Sequence, residues 1–178
     1  MNRCKSVISA IVIGLFVTAC ATALTKDIKV DTESVLNANL SAYKTYAWIA
    51  AAQILNDPDG QWEPRKFDAD AEIRFLINNE LRKKGMTEVD RNPDMLVAYI
   101  AGVDMEALEL KEDPKQEMEV LKNSPKGALA VMFIDTATIK PVWAGVAVGN
   151  VKTERSAEDS KKRLNYAVTE MFKKLPKQ

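Results

Sequence analysis

The side chains that carry most enzyme chemistry are scarce in this sequence. Histidine is absent from its 178 residues, and the two cysteines, Cys4 and Cys20, both lie near the N-terminus. That excludes His-based triads, Cys–His pairs, Cys/His zinc sites and any disulfide framework. Carboxylates remain, 25 of them. Asp57-Pro58-Asp59-Gly60 hints at a calcium loop. With Gly60 at the sixth place, however, the first and twelfth places hold Leu55 and Lys66 where acids are required, so a plain turn is expected. Asp68, Asp70 and Glu72 are spaced to hold a cation, yet at a helix start they equally complement the macrodipole, which is the favoured reading. No two acids stand out as a pair flanking a cleft, as glycoside hydrolysis needs. The expectation is therefore no catalytic residue, no metal, no cofactor and no enzyme activity.

The chemistry of Cys20 is of another kind. Arg3 and Lys5 precede an apolar run, Val7 to Val17, broken only by Ser9 and Gly14. A basic start, a short apolar core and small residues at its end make an export signal. The run is too short to span a bilayer, which takes about 20 apolar residues. Val17-Thr18-Ala19-Cys20 resembles a bacterial lipobox, which directs diacylglycerol onto the Cys sulfur and cleavage just before it. The resemblance implies residues 1–19 as signal peptide and Cys20 as a lipidated N-terminus without a free thiol. Residues 20–27 become a short tether and residues 28–178 a single domain. Bacterial lipoproteins usually carry three acyl chains, and two or more anchor stably. Ala21, where Asp would favour inner-membrane retention in enterobacteria, points to the outer membrane. The localisation expected is the bacterial envelope, facing the periplasm.

Lys plus Arg equals Asp plus Glu, 25 each. A balanced chain argues against nucleic acid as partner, because that binding runs on excess positive charge. Lys161-Lys162-Arg163 is a short basic run that anionic lipid would attract, but it is expected to be the solvated side of a helix. Trp48 and Trp143 are expected mainly in the core. Trp62 lies in a polar, Pro-containing loop where burial is less assured. Trp62, Trp143 and Tyr99 are the candidate residues of a partner or ligand surface.

The elements that must hold these residues are legible from periodicity. Asp68–Lys84 is predicted as a helix, with Ala69, Ile73, Leu76, Ile77 and Leu81 on one face, Arg82, Lys83 and Lys84 in its last turn, and Gly85 as left-handed cap. Ala157–Leu175 is the second. Ser156 and Asp159 have capping-box spacing, and Leu164, Ala167, Val168, Met171, Phe172 and Leu175 form its apolar stripe. Strands are predicted at Ile28–Leu36, Thr45–Ala50, Leu96–Ala101 (with a pattern running on towards Leu110), Ala128–Ile134 and Val142–Val148. Asp135–Ile139 is the hairpin loop between the last two. In Lys111–Lys126 a strand around Met118–Leu121 is expected, with Asn123–Gly127 as its turn into the next. The fold class is α+β: a mostly antiparallel five- to six-stranded sheet with both helices packed on one face.

Several segments together are similar to the domain-of-unknown-function 4136 family of bacterial lipoproteins. They are Tyr43–Trp48, Ile73 to Gly85, Asn92–Tyr99, Gly127–Val131 with Ile134-Asp135, Val142–Gly145, and the helix ending Leu175-Pro176. The resemblance covers nearly all of residues 28–176. It implies an α+β lipoprotein fold and brings no established activity, so no catalytic residue is carried over.

The function expected is a non-enzymatic, membrane-anchored binding or assembly module. Its partners would be the membrane, through the lipid on Cys20, and an envelope protein or a second copy, through the sheet face that two helices leave uncovered. The alternatives are a carrier of a small apolar ligand, which needs a cavity of a few hundred Å³, and a carboxylate hydrolase, which needs two acids about 5–9 Å apart in a pocket.

Overall fold

The computed structural model describes residues 23–35, 39–49, 53–55, 67–102, 106–113, 118–125, 127–150 and 155–176; for 53–55, 106–113 and 118–125 the backbone is described. The signal region, Cys20, Asp57–Gly60 and Trp62 lie outside the described residues.

The elements are β1 (Lys29–Ser34), β2 (Thr45–Trp48), β3 (Gln53–Leu55), α1 (Ala69–Lys83), β4 (Thr87–Glu88), β5 (Met95–Gly102), β6 (Glu106–Asp113), β7 (Met118–Pro125), β8 (Gly127–Asp135), β9 (Lys140–Gly149) and α2 (Ala157–Lys173). A single turn of 3₁₀ helix, Leu40–Ala42, precedes β2. The main sheet runs β1-β9-β8-β5-β2-β4. β3 follows β2 along the same edge of β5, so the sheet is six strands wide.

The sheet is mixed. β1, β9, β8 and β5 are antiparallel neighbours. β2 runs parallel to both β5 and β4, because α1 lies between β2 and β5 in the chain and returns it to the same end of the sheet, as a parallel connection requires. Both helices pack on one face, and the core is Tyr46, Met95, Val97, Phe133 and Trp143 from the strands against Ile73, Ile77, Leu81, Val168, Met171 and Phe172 from the helices.

Local chemistry sets the element ends. Asp68 accepts from the Ala71 N–H, and Ser156 Oγ accepts from the Asp159 N–H, each satisfying a helix-end donor. α1 stops at Gly85, whose φ of +76° suits glycine. In the β8–β9 hairpin the Thr138 N–H and hydroxyl donate to Asp135 Oδ1 at 2.6 and 2.7 Å. That fixes a turn tight enough to hold Ile139 at φ +56°.

Two expectations are corrected. The strand pattern after β5 does not continue: β5 ends at Gly102 and β6 pairs with β7 in a separate two-stranded sheet. Its register, Asp113 opposite Met118 and Glu106 opposite Pro125, keeps Asn123–Pro125 in the ladder where a turn was expected. The face opposite the helices is also not bare. The β6–β7 hairpin lies against β1, β8 and β9. On that face Ala128, Ala130 and Val146 form a second buried cluster backed by Ile100 and Val148, and such small side chains let another backbone approach closely.

Candidate functional site

The lysine–arginine run on α2 proves to be three different residues. Lys161 pairs with Glu72 at 2.8 Å and Lys162 with Glu158 at 2.7 Å, both near solvent. Arg163 lies one helical turn before Ala167 and two before Met171, so its stem shares their buried face, and the residue is only 8% exposed. A buried guanidinium requires an ionised partner, and Asp27 supplies it. Arg163 Nη1 and Nη2 donate to Asp27 Oδ1 and Oδ2 at 2.6 and 2.8 Å, a bidentate pair. Nη1 also donates to the Leu24 carbonyl, in the helical turn of residues 23–27. Asp27 Oδ2 accepts from the Asn150 N–H at 2.7 Å. The hydrogen bonds from Arg163, above all, hold the Asp27 carboxyl far below the usual carboxylate range. Gly149 makes the close approach possible: a Cβ there would stand 2.7 Å from Arg163 Nη2. At the other end of α2, Lys174 donates to the Val30 carbonyl. The segment entering the domain is thus held at two points, by Arg163 in the second turn of α2 and by Lys174 at its C-terminal cap.

Beside this clamp is a hollow of about 150 Å³, walled by the first turns of α1 and α2 and by the end of the sheet where β8 begins and β9 stops. Ile73, Ala101, Ala128, Leu129, Leu164 and Ala167 line it, and Arg155 and Arg163 stand among its polar residues. Arg155 donates to the Asn150 carbonyl at 3.3 Å. Burial, then the neighbouring Arg163 charge, lower its pKa. No group of three or more Cys, Asp or Glu among the described residues is arranged to hold a metal ion.

Two of the residues expected at a partner surface, Trp143 and Tyr99, lie in the core, and Trp62 is outside the described residues. Trp143 is 1% exposed; its ring packs against Phe133 and Phe172 with centroids 4.6 and 5.8 Å away. Its indole folds over Gly145, where a Cβ would come within 2.6 Å of the ring, so the Trp-Ala-Gly sequence is a packing device. Tyr99 is 5% exposed and donates to Asp70; burial and that carboxylate raise its pKa. Both rings face the helices because they sit in register with the buried set of β5 and β9, which removes them from any surface. Asp68 caps α1, Asp70 pairs with Arg74 at 3.1 Å, and Glu72 pairs with Lys161, so these acids diverge. Arg163 is the residue sequence reasoning missed. Its four-residue step to Ala167 and on to Met171 was the available signal.

Trp48 is held rather than displayed. Its Nε1 and the Tyr46 hydroxyl both donate to Asn78 Oδ1, at 3.1 and 2.9 Å, and Arg74 lies 4.8 Å over its ring. Burial pushes the Tyr46 hydroxyl up to about 12.

The family model of the domain of unknown function DUF4136 matches residues 30–177. Among solved structures, the chain is similar in fold to a DUF4136 family protein from Bacteroides thetaiotaomicron. That likeness has 12% identity, covers 83% of this chain and 95% of that one, and has a TM-score of 0.60. A PelC dodecamer from Paraburkholderia phytofirmans aligns at 11% identity over 83% of this chain and 94% of that chain, with a TM-score of 0.45. A minor lipoprotein from Acinetobacter baumannii aligns at 12% identity over 75% and 93%, with a TM-score of 0.31. No curated protein matches the chain.

Proposed function

The chain belongs to the DUF4136 family, and from that premise we propose that it is a non-enzymatic lipoprotein of the bacterial envelope. It is anchored through lipid on Cys20, more favourably in the outer membrane facing the periplasm, and serves there as a small binding or assembly module. The observation that carries the reading is the clamp placed directly after the lipobox. Arg163 fastens Leu24 and Asp27, only a few residues beyond Cys20. A domain that buries an arginine to hold its own entry segment is organised around that segment. Without such a grip, the seven residues of Ala21–Asp27 would be a free leash of at most about 25 Å. No helix among the described residues is long and apolar enough to cross a membrane.

The hollow supports this order of readings. At about 150 Å³ it lies below the ~300–1,000 Å³ of small-molecule sites, and a second hollow of about 430 Å³ is lined mainly by polar residues, Asn79, Glu80, Arg82, Lys83 and Asn165, which supports the carrier less than the anchored module. For a hydrolase, two buried acids are needed; among the residues whose side chains are described, Arg163 is the one buried charged side chain. The test is Cys20→Ser. Wild type made with radiolabelled palmitate should incorporate label and fractionate with membranes. Cys20→Ser should lose the label and the cleavage before residue 20. Wild-type protein with an unmodified Cys20 in its mature form overturns the anchor. Turnover of peptidoglycan or envelope glycans that vanishes on replacing one particular Asp or Glu overturns the non-enzymatic reading.

A further inference from the structure

The clamp and the hollow share a wall. Arg163 holds the Leu24 carbonyl and Asp27 and also lines the hollow, as does Ile28, the residue after Asp27. From Leu24 back to Cys20 is four residues, at most about 14 Å of extended chain. We propose that the hollow is the docking place for the end of one acyl chain carried by Cys20 itself. The proposal rests on the lipidation argued above and goes beyond it, because it gives the hollow an occupant and the domain a fixed attitude to the membrane.

Reach, size and lining all point to this occupant. An acyl chain of membrane-lipid length spans half a hydrocarbon core, about 15 Å, so chain and tether together reach the mouth of a hollow that touches the clamp. A cavity of about 150 Å³ holds a group of about six carbons, which fits the tip of a fatty chain and not a whole lipid. The hollow's lining is mostly apolar, with Ile73, Leu129 and Leu164 in it, and offers a methylene apolar contact, while Asn150, Arg155, Ser160 and Arg163 supply its polar part. Attachment at so short a distance gives the tip an effective concentration on the order of millimolar or more, which no free ligand need supply. Since two acyl chains suffice for a stable anchor, the third is free to dock. With one chain in the domain and two in the bilayer, the end built from Gly127, Gly149 and the first turns of α1 and α2 faces the membrane.

The test uses the full chain, produced in bacteria fed a diazirine-bearing fatty acid, purified in detergent, irradiated, and mapped by mass spectrometry. Crosslinks are expected in the peptides carrying Ile73, Ala128 and Leu164. Ala167→Leu, which fills the hollow, should cut them at least fivefold while the mass added by acylation stays the same. Ala101→Val is a gentler filling variant, expected to give a smaller cut in the same direction, and serves if Ala167→Leu does not fold. Crosslinks outside the hollow, crosslinks between copies, or equal crosslinking in wild type and a folded filling variant overturn the docking. Equal labelling of Cys20→Ser by free diazirine fatty acid assigns the hollow to soluble fatty acids and overturns it as well. An intact mass without acyl groups overturns the lipidation beneath it, a separate reading from the same sample.

Discussion

The two ends of α2 are fastened by opposite means. Near its C-terminus Phe172, 1% exposed, meets Phe133 and Trp143 with ring centroids 5.8 Å away. Near its N-terminus Arg163 meets Asp27 through two hydrogen bonds. The aromatic end is held by area removed from water, which neither pH nor moderate salt alters much. The charged end is held only while a carboxylate stays ionised, and its net worth over an apolar substitute is small because the arginine, and in part the carboxylate, had to be desolvated. One helix thus has an end that secures the fold and an end whose grip depends on conditions. The second is the end that holds Leu24 and Asp27.

The comparison breaks most visibly at the aromatic end. Phe172→Ala should cost about 3–5 kcal/mol, read from the denaturant midpoint, and the loss should be equal at pH 7 and pH 4. A variant that melts like the parent would place the weight of the helix elsewhere. At the charged end Asp27→Ala leaves Arg163 buried without its carboxylate and should cost about 3 kcal/mol. The double variant Asp27→Ala/Arg163→Met should recover most of that loss, because the orphaned charge goes with the arginine. If the double variant is as unstable as the single, the pair contributes more than the cost of breaking it. Next comes Gly145→Ala, which drives a methyl into the Trp143 ring and should cost about 1–3 kcal/mol, seen as a fall in melting temperature with altered tryptophan fluorescence.

The smallest effect sharpens the contrast through pH. The folded value of Asp27 lies below its ordinary 3.8. Its contribution is therefore complete well above 3.8 and is lost as pH falls below 3.8 through the depressed folded value. Asp94 and Asp135 are also lowered by hydrogen bonds, so the wild-type acid profile is a sum. The difference between wild type and Asp27→Asn isolates the clamp and should shrink steadily below pH 4. Protection factors of the Ile28 and Val30 amides, corrected for the intrinsic exchange rate at each pH, should fall over that range before those in the Phe172 turn do.

Much of this fold was legible because its signals are local. Asp68, Gly85, Ser156 and Asp135 each act on a backbone group a few residues away, and each does what its type and place imply. The helix stripes likewise follow from period alone. Strand partners are a different matter. Nothing within Thr45–Trp48 says that it lies parallel to Met95–Gly102, since that depends on the helix between them. The strand expected around Met118–Leu121 is present within β7; its pairing with Glu106–Asp113 was missed because that run of mixed polarity has no apolar core. Trp143 was legible as a core residue; placing it on a surface as well was the error. Its register opposite Phe133 decides the matter. Arg163 was hidden by its neighbours, since a Lys-Lys-Arg run suggests a solvated face and only the position of the third residue contradicts it.

The edge position of β1 has a consequence for how the chain becomes a protein. Its one neighbour in the sheet is β9, and the bond from Asn150 to Asp27 joins residues 123 apart in sequence. Arg163 and Asp27 are 136 apart. A chain emerging from its N-terminus therefore delivers first the strand that can be fastened last. Until residues 140–163 arrive, Lys29–Ser34 has no ladder to join, and closing so long a loop carries an entropic delay. During that interval the charges of Lys29, Asp31 and Glu33 discourage this free edge from pairing with another chain. Completion of the C-terminal helix, which brings Arg163 to Asp27, is the step that closes the molecule.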